Sequence, residues 1–226
     1  MRKEFKTAKP LSKLSATAAR ISLGLAIFYA LLLFILHFIK PEIDPRWDFI
    51  SQYALGRHGW IMTLTFIAIA GSLISLIFAI RSQVKTIPGY IGIVLLLLAV
   101  AGMTIAAIYP MDPMTISPEN ATASGKMHEL GATLDWTPVA TLLLSFSLMR
   151  IKAWFPIRWQ LFIGSSISIL LTVIFIAVIA SADGKIGTGV YAGLVGRLLI
   201  LSYIGWIAIA ALHIIRLYKQ ESLTNK

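Results

Sequence analysis

Residues 161–180 read LFIGSSISILLTVIFIAVIA, twenty positions without a charged side chain. A helix rises 1.5 Å per residue, so a stretch of about 20 apolar residues reaches across the hydrocarbon core of a bilayer. Inside that core every backbone N–H and C=O must be satisfied within its own segment, which makes this stretch a spanning helix. Working outward, the same reading gives six spans, at about 18–39, 60–80, 88–109, 128–149, 160–180 and 190–217. The stretch around 160–180 is the most uniformly apolar and should face lipid most. The chain of 226 residues is 58% hydrophobic and 13% charged, far from the balance of a soluble domain. Short connections leave no room for a soluble domain. The expectation is all-α: one six-transmembrane-helix, up-and-down bundle over 18–217, between a basic arm (1–17) and a short tail (218–226).

The formal net charge of +10 invites a nucleic-acid partner, but its distribution argues against one. Of the twenty Lys and Arg, fourteen fall on the side of the termini, five on the other side, and Arg197 lies within a span. That asymmetry is the positive-inside pattern, and it places both termini in the cytoplasm of a cell-membrane protein. The first apolar stretch lacks a small-x-small cleavage site before Lys40-Pro41, so it is read as a retained span rather than a signal peptide. Cysteine is absent, which removes disulfides, thiolate metal ligands and cysteine nucleophiles.

Between spans one and two, residues 41–59 form the longest polar stretch. Trp47, Ile50 and Ala54, with Phe49 and Tyr53, suggest a short amphipathic helix lying in the interface, aromatic side down. Pro110 and Asp112-Pro113 open an ordered loop, and Asp183, Gly184, Gly187 and Gly189 form a Gly-rich turn before span six. No internal repeat supports an inverted-repeat transporter.

Charges inside spans are expensive and mark functional sites by default. Asp135 lies seven residues into span four and Arg197 six residues into span six, so both sit about 9–10 Å from the outer end by the helical rise. His128 shares a helix face with Asp135, two turns away. Thr63, Thr104 and His37 fall in the same outer layer. Eight of the ten acidic residues, including Glu42, Asp44, Asp48, Asp112 and Glu129, belong to that side. Such a mouth concentrates cations or holds a zwitterionic head group.

Each feature also has a plain structural reading. Asp135 and Arg197 could form an ion pair that fixes helix packing. His128 could be a solvated interfacial histidine and Asp112 a turn residue, while His37 and His213 simply end helices.

Three functions compete. The first is an outward-facing pocket lined by Asp135, Arg197, His128 and Asp112 and capped by the segment carrying Asp48, Ser51 and Tyr53. It would bind or move a small polar solute or lipid head group, with Arg197 on an anionic group and Asp135 as counter-ion or proton carrier. The second is an accessory or structural subunit without a ligand of its own. The third is a membrane hydrolase with a metal on His128, His58 and Asp112 or Asp48; zinc catalysis needs about three protein ligands and an open position, and no H-x-x-x-H pair occurs. The first reading calls for no cofactor, no metal and no partner beyond the lipid bilayer and the ligand.

The segment from Asp48 to Gly56 (DFISQYALG), followed by Gly59-Trp60-Ile61-Met62, carries a resemblance. So do Tyr109-Pro110-Met111-Asp112-Pro113, His128 with Gly131, and Gly193 to Arg197 with Trp206. Together they resemble the prokaryotic integral-membrane family called domain of unknown function 998, over nearly the whole chain after the basic arm. Met111 stands where the family pattern has Thr. The resemblance implies a six-span bundle of unassigned activity and supplies no mechanism.

Overall fold

Local signals set the helix ends in the computed structural model, which describes residues 7–182 and 187–224. Helix α1 (Lys13–Ile39) starts where the Ser12 hydroxyl accepts the Ser15 N–H at 3.0 Å and stops before Pro41. Helices α2 (Trp60–Ile80) and α3 (Ile87–Ile108) follow, the latter capped by Thr86 with Pro88 in its first turn, where a missing N–H costs nothing. After the loop come α4 (Ala123–Thr133), α5 (Thr137–Leu148), α6 (Arg158–Ser181) and α7 (Ala192–Thr224). Short 3₁₀ turns cover Ile50–Ala54, Pro118–Asn120 and Lys152–Ile157. Among the described residues there is no strand. Asp183 and Gly184 of the expected Gly-rich turn, and residues 1–6 of the basic arm, lie outside the described residues.

Five helices, α1, α2, α3, α6 and α7, are long and apolar enough to cross a membrane. The fourth expected span, 128–149, is not one helix. Pro138 has no N–H to give and its ring would collide with the carbonyl four residues back, so the chain breaks at 134–136 and restarts as α5. The two short helices still run antiparallel along α3. Thr86, at its start, bonds Ser147 at 2.9 Å, while Tyr109, at its end, accepts from His128 at 2.8 Å. Midway, Gly102 and Gly131 let the two backbones touch; a Cβ on Gly131 would stand 2.8 Å from the Gly102 carbonyl oxygen.

Neighbours pack in chain order, except that α4 and α5 both pack on α3 rather than on each other, and α7 closes the bundle against α1. The start of α1 and the end of α7 lie at the same end of the bundle. The Glu221 carboxylate accepts from Thr7 Oγ1 and Leu11 N (2.6 and 2.8 Å), and Gln83, in the α2–α3 turn, bonds Ala8 and Lys9. Helix α1 therefore begins within the stretch read as a basic arm, and α7 runs past 217.

Lipid tails are as apolar as leucine, so polar bonds and small residues hold such helices together. Ser145 Oγ accepts from the Trp206 indole at 2.9 Å, Ser168 pairs with Ser202 at 2.8 Å, and Ser72 donates to the Ser22 carbonyl at 2.8 Å. Helix α6 is the least buried of the five, 11% of its apolar window against 28–56% for the others, so it presents the widest face to lipid. Because Trp206 is fully buried, Ser145→Ala strands its indole N–H. The expected loss is about 1 kcal/mol, read as an earlier melt in detergent.

Candidate functional site

The segment between α1 and α2 is not an amphipathic helix on the membrane surface. It folds inward: Ile50, Gln52 and Tyr53 are buried, and Tyr53 is fully so. Its aromatic rings face protein, Tyr53 against His37 and Phe49 against Phe175 at 6.0 Å. Two buried cations tie it down. Lys40 Nζ donates to the carbonyls of Tyr53 (3.2 Å) and Leu55, and Glu42 stands 3.8 Å away. Arg197 donates from Nη1 to the carbonyls of Asp48 (2.7 Å) and Gly193 (3.0 Å), and from Nη2 to the Tyr53 hydroxyl (3.3 Å). Gln52 reaches across to the Asp112 carbonyl at 3.2 Å. The DFISQYALG stretch is thus a plug held at its start, middle and end.

The fourth group on Arg197 is His37. Its Nδ1 faces the Leu33 carbonyl at 2.7 Å, an atom that only accepts, so Nδ1 carries the proton. Nε2 is then a lone pair, and it accepts the Arg197 Nε–H at 3.0 Å. His37 is a working part of the knot, more than a helix end.

Asp135 stands in the break between α4 and α5. Its Oδ1 accepts the Thr137 hydroxyl at 2.6 Å and the Thr137 N–H at 3.2 Å, placing negative charge at the positive end of α5. The Tyr203 hydroxyl stands beside the same carboxylate, and Tyr29 lies near both. Among the described residues the ion pairs are Lys40–Glu42 and Arg46–Asp44; Asp135 and Arg197 do not pair. Similar depth did not bring them together.

A cavity of about 620 Å³ lies between α4 and the α6–α7 pair, with Asp135 in its lining and Phe49, Ile50 and Ser51 of the plug closing one side. His128, Asp112 and Glu129 also line it, while Arg197, Tyr53 and Asp48 do not. Of the seven residues singled out from the sequence, four meet at the cavity and three hold its cover. His128 is buried, Nδ1 donating to the Tyr109 carbonyl and its ring edge-on to Phe66. Its Nε2 has no partner among the described residues and carries a lone pair. Asp112 spends its carboxylate on the Thr122 N–H and hydroxyl, both at 2.8 Å, which closes the loop into α4. The Asp48 carboxylate accepts the Asp44 N–H at 2.8 Å.

His58 lies in a left-handed turn before α2 and does not line the cavity. Among the described residues no three His, Asp or Glu side chains converge as a metal set, so the geometry offers the hydrolase reading no support. His213 sits at the other end of the bundle, on the Ala153 carbonyl and beside Trp154.

Above the cavity, Glu42, Asp44 and Asp48 rim a second, shallow groove. The Arg46 guanidinium, 2.6 Å from Asp44, pulls that carboxyl down to about 2. A depressed pKa gives stability that is full above the unfolded value near 4 and is lost as pH falls through about 2. Asp44 is partly exposed and its pair with Arg46 is screened by solvent, so the effect on stability is small, and Asp44 stays ionised across the physiological range.

The residues not singled out as candidates from the sequence are Lys40, Gln52, Tyr29 and Tyr203, while Glu129 counts only among the acidic residues of the outer side. The two tyrosines carried a signal, since both fall inside spans rather than at the interfaces where tyrosine collects. Lys40 beside Pro41 reads as an ordinary helix end, and Gln52 lies in the DFISQYALG stretch without standing out from it.

These features define a polytopic α-helical membrane protein with a broken fourth segment, an inserted plug and a mainly apolar cavity edged by carboxylates. No curated protein and no solved structure matches the chain. The chain belongs to the family described as protein of unknown function (DUF998), whose model matches residues 22–213. Every residue of the plug, the knot and the cavity lies inside that match.

Proposed function

We propose that the protein crosses the cell membrane six times, with both termini cytoplasmic, and that its cavity faces outward and binds or moves a small polar solute or lipid head group. The observation that carries this reading is the convergence of Asp135, His128, Glu129 and Ser51 on one cavity. His128 Nε2 is an acceptor that the described residues leave open toward the cavity, whereas the Asp135 carboxylate is held by Thr137 and the Tyr203 hydroxyl. A donor on a ligand would complete the histidine. The sixth crossing rests on α4 and α5 together matching the length of α3, and the orientation on the excess of Lys and Arg at the end that holds both termini.

The test is mass spectrometry of lipids and small molecules that co-purify with the protein, comparing wild type, Asp135→Asn and Arg197→Gln. Asn keeps an oxygen for the two Thr137 bonds, so Asp135→Asn should fold and melt within a few degrees of wild type while losing the ligand. Arg197→Gln should lose it by loosening the plug, with a lower melting temperature. If no molecule distinguishes wild type from Asp135→Asn, the cavity is not a binding site.

A further inference from the structure

Among the described residues, the polar edge of the cavity has one electrical sign. It carries Asp135, Glu129 and Asp112 and the open Nε2 of His128, and no described Lys or Arg lines it. Arg197 is engaged by His37, Tyr53 and two carbonyls and does not line it. A carboxylate cluster alone says little. His128 adds an independent observation, being only 6% exposed, unpartnered at Nε2 and in the lining. Asp112 and Asp135 already hold protein donors, whereas Glu129 and His128 Nε2 hold none among the described residues; open acceptors on an acidic edge select a positively charged donor. Phe49, Phe66 and Phe175 also line the cavity, and aromatic rings attract an ammonium that lies over their faces.

The cavity also has a side opening. Helix α5 packs on α6, but beyond the break α4 packs appreciably only on α3. The outer halves of α4 and α6 therefore splay, and the space between them is the cavity. Phe175 and Ile179 of α6 line it while Ile174 and Ile176 are exposed on the lipid side. Leu130 and Trp136 are exposed on the facing side.

We propose that the ligand is an alkylammonium amphiphile: its ammonium group sits among Asp135, Glu129 and His128, and its chain lies in the gap between α4 and α6, through which it enters sideways from the bilayer. This rests on the cavity being the binding site. It names the ligand's charge and route.

The chain lacks cysteine, so Ala132→Cys places a single thiol in the lining. The full chain, in dodecyl maltoside micelles, is treated with methanethiosulfonates bearing either a trimethylammonium or a sulfonate group. The cationic reagent should react about tenfold faster or more, a ratio set by nearby fixed charge. The ratio should collapse in Asp135→Asn and fall partway in Glu129→Gln, an exposed position that does not threaten folding. Dodecylammonium should protect the thiol, whereas dodecanoate and ethylammonium at the same concentration should not. Equal protection by dodecanoate would mean that only the chain is recognised, and would overturn the ammonium. Equal protection by ethylammonium would assign the site to a free cation and overturn the sideways route. A folded variant that neither reagent modifies would mean a closed cavity, and the binding reading would fall with the proposal.

Discussion

Arg197→Met should lower the stability of the protein by about 3 kcal/mol, the largest loss expected from any single charge. The guanidinium is 7% exposed and serves four acceptors on three separate parts of the chain: His37 on α1, Asp48 and Tyr53 on the plug, and Gly193 on its own helix. Removing it removes the cost of burying a cation but leaves the Asp48 carbonyl and the His37 Nε2 without donors, each worth roughly 1–3 kcal/mol when stranded; the Gly193 carbonyl keeps its helical donor. Arg197→Lys should recover less than half, since an ammonium cannot reproduce a planar fork that points in three directions. Melting in detergent checks both. Limited proteolysis should show new cleavage within 41–59 in the methionine variant. A methionine variant as stable as wild type would mean that the plug holds without its cation. The contrast with Asp135→Asn matters most: one intramembrane charge is expected to govern stability and the other ligand binding.

Gly193→Ala should cost about 1–3 kcal/mol, the range for overpacking a close contact. The first turn of α7 runs directly against the plug, where Leu194 N–H donates to the Arg46 carbonyl at 3.1 Å. A Cβ on Gly193 would stand 2.8 Å from the Trp47 carbonyl carbon and 2.9 Å from the Asp48 nitrogen. Those are backbone atoms and cannot swing aside as a side-chain tip would. The plug must shift, and with it the Asp48 carbonyl that Arg197 holds. Melting temperature should fall, and protease access to 41–59 should rise as in the Arg197 variant. Gly24→Ala is the control, because a Cβ there meets nothing within 4 Å. An equal loss from Gly24→Ala would point to a general glycine effect instead of this contact.

Parts of the site were legible and parts were not, for identifiable reasons. Composition along the chain marked the outer half as polar, and Asp135, His128, Asp112 and Ser51 do share a cavity. Helical rise converts position into depth, which is why Asp135 and Arg197 were read as candidates at one level. Rise says nothing about which way a helix faces or which neighbour it meets, so it could not separate a lining residue from a clamp. The break at 134–136 was available in Pro138, but hydropathy averages over a single proline inside an apolar run. The plug misled because its spacing of aromatic and aliphatic residues suits a helix on lipid as well as a turn packed into protein. Its burial depends on Lys40 and Arg197, 157 positions apart.

The sequence by itself determined that this is a helical membrane protein. Long uncharged stretches cannot be hydrated, and a backbone in hydrocarbon has to satisfy its own hydrogen bonds, so composition alone dictates helix after helix. Tertiary structure alone decided what each buried charge does. Arg197 found neutral acceptors on α1 and the plug, and Asp135 found the start of α5 and an open cavity. Those partners are set by how helices rotate and splay against each other, a property of the packed bundle that no local stretch of residues contains.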